Sequence, residues 1–163
     1  YDLCCILGDM SDSDYKIILK YVPKDKIVAL LGNHDRLNLL SSFGIKNING
    51  DIITINDLKI GGIEGSFRYK EEVFPSFNHE ESYEFLKDME EVDILLSHDK
   101  PFTENTNRPV HDGLKGITYY LYEKRVPYNI HGHEHESFLT ELENGTKVKC
   151  AYGVELINLK KLD

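Results

Sequence analysis

The sequence predicts an α/β layered fold, and three observations carry that expectation. Short apolar runs rich in β-branched residues alternate with segments whose apolar residues recur at helical spacing. Four of those runs end in glycine, asparagine, histidine or aspartate, as strands of an open α/β sheet do where they hand polar groups to the loops at their carboxyl edge. A length of 163 residues suits one domain with a real core, so we expect residues 1–163 to form a single unit.

Taken in order, residues 3–7 read as a strand and residues 15–22 as a short helix capped by Ser13 or Asp14, with Pro23 just beyond its end. Residues 27–31 read as a second strand, which completes a βαβ unit. Residues 37–43 form a helix ended by Gly44, and residues 52–55 and 58–63 pair as a hairpin turned at Asn56-Asp57. Tyr83, Leu86 and Met89 stand at helical spacing within 80–89, residues 94–97 are a buried strand, and 114–124 is an amphipathic helix. A strand over 128–131 follows, then a hairpin of 137–142 and 147–152 turned at Asn144-Gly145, then a last strand over 155–159. Residues 100–113 are the one long polar loop.

Composition excludes several classes of function. With 28 acidic against 19 basic residues the net charge is -9, and no Lys/Arg cluster offers a footprint for extended nucleic acid. The apolar runs fall far short of the roughly 18–20 residues of a membrane span. Three cysteines, two of them neighbours that point to opposite faces of a strand, do not make a disulfide framework. We expect a reducing, cytoplasmic compartment and no secretory leader. The chain opens on Tyr1 and enters an apolar run almost at once, so we expect it to be cut on its N-terminal side.

The chemistry lies where the four runs end. Ile6-Leu7 leads into Gly8-Asp9, Leu30-Leu31 into Gly32-Asn33-His34-Asp35, Leu95-Leu96 into Ser97-His98-Asp99, and Asn129-Ile130 into His131-Gly132-His133-Glu134-His135. A carboxylate, an amide oxygen and imidazoles brought together are a mixed hard and borderline donor set, suited to Mn, Fe, Zn or Ni rather than Ca. Two such ions about 3.5–4 Å apart form the clamp used in phosphate ester hydrolysis.

Gly8-Asp9-Met10-Ser11-Asp12, Gly32-Asn33-His34-Asp35, Ser97-His98 and Gly132-His133-Glu134-His135 resemble, in order and approximate spacing, four of the five motifs of the calcineurin-like metallophosphoesterase family. The resemblance implies a four-layer α/β/β/α sandwich with two divalent transition metal ions, Mn(II) first among them, at the carboxyl edge of its sheets. It makes Asp9 the carboxylate that bridges both ions, with Asn33, His98 and His133 completing one and His135 contributing to the other. His34 would assist the leaving group rather than bind metal, and Asp12 would orient and charge it, as a histidine beside dications needs a carboxylate partner. The implied reaction is hydrolysis of phosphodi- or monoesters by a metal-activated hydroxide, on small phosphoesters or nucleotides.

The family's first motif, Asp-x-His at the end of the first strand, has no counterpart among the seven residues before Gly8, so the expected fold lacks its N-terminal strand. The second ion is thereby left with Asp9 and His135. If the chain is complete, we expect a mononuclear or weakly binuclear site and impaired hydrolysis; if it is a fragment, the parent is a normal enzyme. Ser13 stands where several phosphatase relatives carry a phosphate-binding arginine, which argues against phosphoprotein phosphatase activity.

Plainer readings exist for the remaining polar residues. Asp12 can serve as an acidic residue at a helix N-terminus, and Asp35 and Asp99 read as groups that structure their loops. His131 is expected to pack or hydrogen-bond at the strand end, His79 and His111 to be non-ligands, and Arg36 and Arg108 to be solvated charges. Cys4, Cys5 and Cys150 read as small buried hydrophobes. A competing function is a phosphoesterase-like scaffold that has lost chemistry and binds a protein partner, supported by the missing motif. The His-Asp dipeptides at His34, His98 and His111 also suggest a helical phosphohydrolase, but two of them follow strand-like runs.

Overall fold

The computed structural model describes residues 1–104 and 111–159. Arg108 lies outside the described residues. The first βαβ unit forms as its pattern demands: β1 (Cys4–Ile6) and β2 (Ile27–Ala29) pair in parallel, joined by α1 (Asp12–Tyr21). A short β3 (Lys46–Asn47), not foreseen from the sequence, extends this sheet to the order β1-β2-β3 after α2 (Leu39–Phe43). Gly44 ends α2 in the left-handed region, as expected.

The cap of α1 is Ser11, not Ser13 or Asp14. Ser11 accepts from the backbone N–H of Asp14 while the Asp14 carboxylate accepts from that of Ser11, a reciprocal capping box that starts the helix earlier.

The second sheet has six strands in the order β10-β11-β9-β8-β5-β4. Its centre is parallel: β5 (Leu58–Ile63), β8 (Ile94–Ser97), β9 (Tyr128–His131) and β11 (Lys147–Cys150). Antiparallel strands β4 (Ile52–Ile55) and β10 (Phe138–Glu141) close the two edges. Asn56 and Asp57 both take positive φ at the β4/β5 turn, the conformation that a two-residue hairpin requires. A two-stranded ribbon, β6 (Ser66–Phe67) with β7 (Ser76–Phe77), precedes α3 (His79–Leu86). α4 (Lys115–Glu123) packs on α3.

Strand alternation sorts the apolar residues into three cores. Ile27 and Ala29 pack with Tyr15, Leu39 and Leu40 beneath α1 and α2, whereas Val28 and Leu30 face Ile60, Ile94, Leu96 and Ile130 of the second sheet. On that sheet's other face Leu95 joins Leu86, Ile117 and Leu121 of α3 and α4. The layers therefore run helices, sheet, sheet, helices, and the inter-sheet core brings the carboxyl ends of β1, β2, β8 and β9 to one edge.

Two further expectations fail. Residues 155–159 do not form a strand, although Ile157 and Leu159 pack on the inter-sheet core and Val154 and Leu156 face solvent. The alternation is real, but the sheet ends at β10 and, among the described residues, the segment pairs with no strand. Cys5 is exposed rather than buried; all three cysteines are free. Among the described residues no helix is long and apolar enough to cross a membrane.

Candidate metal centre

Asp9 follows β1 through a turn that only particular residues can make. Gly8 has φ +94 and Asp9 φ 56, both left-handed. A Cβ on Gly8 would lie 2.6 Å from Gly32 Cα and 2.7 Å from His98 Nδ1, and one on Gly32 would lie 2.6 Å from Asp9 N. The two motif loops interlock at these glycines, and any side chain would drive them apart. His133 and His135 also hold positive φ, at 67° and 54°. Non-glycine residues there cost about 1–3 kcal/mol each and persist where the surroundings over-determine them.

Asp35 ties the loops together. Its buried carboxylate accepts from the backbone N–H groups of Gly32 at 2.7 Å, Asp9 at 2.8 Å and Met10 at 3.1 Å, which makes it the loop-structuring group the sequence suggested. Asp99 does the same for the loop after β8, fully buried and accepting from the N–H groups of Phe67 and Lys100 at 2.8 Å each.

His98 is 1% exposed. Its Nδ1 lies 2.6 Å from the Leu7 carbonyl, a contact that requires the proton on Nδ1 and leaves Nε2 with a lone pair. That Nε2 faces Asn33 Oδ1 at 3.0 Å, His133 Nδ1 at 3.2 Å and Asp9 Oδ2 at 3.4 Å. Ligand atoms of Asp9, His98 and His133 all lie within 4.8 Å of one another. Lone pairs from two carbonyl-type oxygens and two ring nitrogens aimed at one point repel unless a cation sits among them, so the residues present fit a divalent ion.

Electrostatics agree. Burial alone would raise the pKa of Asp9, yet the hydrogen bond and charge of His98 and the N–H of His34 outweigh it and hold the carboxyl at about 2. Burial opposes a charge on His98, but the Asp9 carboxylate and the Leu7 carbonyl overcome it and raise its pKa. The pocket favours positive charge.

The outer residues are arranged differently. His34 is exposed and is held by its backbone, whose N–H donates to Asp9 Oδ1 at 2.9 Å. Asp12 is not its carboxylate partner: as the first residue of α1, it takes the Arg36 guanidinium through both oxygens at 2.9 and 3.1 Å. Arg36 also donates to Asn38 and Ser42, so it joins the two helix starts instead of standing free. His135 is exposed and stacks on Tyr152, ring centroids 5.5 Å apart, outside the gathered ligand atoms.

The other histidines behave largely as expected. His131 is buried and donates from Nδ1 to the Gly132 carbonyl at 3.0 Å, and burial pushes its pKa down to about 4. His79 stacks on Phe67 and meets Phe102 edge-on. His111 lies closer to the site than a bystander, its ring 5.4 Å from that of His133. The sequence reading passed over Lys100 and Glu134, which meet at 3.0 Å beside His133. The signal available was Glu134's place between two candidate ligands.

A donor set of this kind, built on strand ends of two stacked sheets, is a candidate metal site in an α/β fold. The model of the calcineurin-like phosphoesterase family matches residues 1–137, and the chain belongs to that family. The crystal structure of TT1561 of Thermus thermophilus shares the fold with a TM-score of 0.60 at 12% identity, covering 93% of this chain and 76% of that one. A second solved structure matches with a TM-score of 0.62 at 16% identity, over 85% of this chain and 61% of its own length. No curated protein matches the chain.

Proposed function

We propose that this protein, as a single domain, is a metal-dependent phosphoesterase that hydrolyses small phosphodiesters or phosphomonoesters, nucleotides among them. The observation that carries the reading is the convergence of Asp9, Asn33, His98 and His133 from four strand ends onto one point. In this reading Asp9, Asn33, His98 and His133 would hold one divalent ion, and Asp9 with His135 would contribute to holding a second. Mn(II) is the first choice, with Fe, Zn and Ni also suited to the donor set. Bound there, such ions supply an activated water and neutralise phosphoryl oxygens.

The chain's own groups do the rest. Asp9, with its low pKa, stays ionised throughout the physiological range. Asn33 adds an oxygen without charge, which leaves the loaded centre positive enough to hold an anionic ester. The Leu7 carbonyl fixes the His98 tautomer. His34, anchored by its backbone and free at its ring, gives a proton or hydrogen bond to the departing oxygen. The net charge of -9 disfavours long nucleic acid as substrate, and a reducing cytoplasmic setting suits three free cysteines.

A second reading, a scaffold that binds a protein partner, draws support from Asp12 pairing with Arg36 and His135 stacking on Tyr152. Metal content per chain, measured together with hydrolysis of bis-p-nitrophenyl phosphate and p-nitrophenyl phosphate in Mn(II), separates the two. Bound metal with turnover supports the enzyme; metal-free chains without turnover in added Mn(II) overturn it.

A further inference from the structure

The geometry points to Glu134 as a positioning residue, clasped by Lys100 and flanked by His111, that sets the His133 side chain for metal; this inference rests on the metal-centre reading above. Glu134 stands between two left-handed residues, His133 at φ 67 and His135 at φ 54. A loop with two such residues needs something to hold it. Its side chain is not among the gathered ligand groups, and Oε1 lies 3.0 Å from Lys100 Nζ and 3.7 Å from His111 Nδ1. Lys100 and Glu134 side chains are 12% and 17% exposed, so the pair is largely shielded from water and from salt.

The partner end is anchored. Lys100 follows Asp99, whose buried carboxylate accepts the Lys100 N–H, and the Lys100 carbonyl accepts from Leu114 at 3.0 Å. The Gly132 N–H meanwhile donates to the His98 carbonyl at 3.1 Å. Besides the His98–His133 contact itself, the loop that presents His98 and the loop that presents His133 are thus joined by a backbone bond and an ion pair. The contact is electrostatic in character: Glu134 Oε1 and His111 Nδ1 are buried and make no hydrogen bond. His111 completes the arrangement by packing its ring against His133 at 46°. Neutralising Glu134 or Lys100 leaves the other charge buried without its partner, and the strained loop loses its restraint.

The test compares Glu134→Gln, Lys100→Met and the charge-exchanged pair Lys100→Glu with Glu134→Lys, using Co(II) as probe. The metal-depleted chains are titrated by calorimetry, and the visible d–d bands of the Co(II) form report ligand geometry. Each single variant is expected to lose about 10–100-fold in Co(II) affinity with altered bands, the range seen when groups supporting a ligand are removed. Charge exchange is expected to recover at least a third of that loss on a logarithmic scale. Single variants with wild-type affinity and bands overturn the clasp, as does a charge-exchanged pair no better than the worse single variant. Circular dichroism in chelator checks folding, and Lys100→Arg, which keeps the charge, must bind within about threefold of wild type should Lys100→Met fail to fold; a larger loss overturns the proposal. A wild-type chain that binds no Co(II) instead overturns the metal-centre reading itself.

Discussion

The inner and outer halves of the site are built on different principles. Asn33 and His98 are buried, and together with Asp9 and His133 they are fixed by backbone carbonyls, amides and interlocked glycines. His34 and His135 on loops and Asp12 at the start of α1 are exposed, held by a backbone hydrogen bond, a ring stack and a solvent-exposed ion pair respectively. The inner half is set by the same contacts that fold the chain, so its geometry comes with the fold. The outer half has freedom left for a ligand or ion to organise.

Substitutions can break this distinction, starting with the largest effect. Asp9→Asn removes the charge at the centre of the inner half and is expected to lower hydrolysis on the order of 10³-fold, about 4 kcal/mol of transition-state stabilisation, with reduced metal content. Wild-type turnover in that variant would contradict the assignment. His34→Ala removes an outer group and should keep full metal content while kcat drops roughly 10²-fold, as for loss of a proton donor. Metal loss in His34→Ala would erase the inner/outer division.

Gly32→Ala forces a Cβ against both the Asp9 carboxylate and, at 2.6 Å, the Asp9 N, so it displaces a ligand together with its loop, and unfolding in urea is expected to show a loss of about 2–3 kcal/mol. His131 gives the inner half a pH signature. Its folded pKa of about 4 lies below the unfolded value of 6.5, so the unfolded chain binds more protons between these values and stability falls as pH drops through that window. One group contributes a slope of at most about 1.4 kcal/mol per pH unit, and His131→Asn should flatten it in chelated protein. Asp12→Asn should change stability by less than about 1 kcal/mol, because its pair with Arg36 is solvent-exposed; a larger loss would move Asp12 into the inner class.

What was legible in the sequence follows the same line. The convergence of Asp9, Asn33, His98 and His133 could be read because each follows within four residues a strand whose apolar run announces it, and strand ends in stacked α/β sheets converge. The hairpin at Asn56-Asp57 and the stop at Gly44 were equally local, decided by residues that tolerate positive φ. The Asp12 partner was not legible, since the choice between His34 and Arg36 depends on where α1 begins, and that depends on Ser11 rather than Ser13. The Ser11-x-x-Asp14 spacing held the signal, but two serines two residues apart offer the same hydroxyl. Residues 155–159 alternate like a strand and bury Ile157 and Leu159, yet alternation reports facing, not hydrogen bonding.

The His98 ring reaches back across 91 residues to the Leu7 carbonyl. A contact of that separation carries a large loop-closure cost, and it joins a loop of the three-stranded sheet to a loop of the six-stranded one. The ligand cluster therefore exists only when both sheets are in place. Neither half of the polypeptide supplies all four groups, since Asp9 and Asn33 come from the three-stranded sheet and His98 and His133 from the six-stranded one.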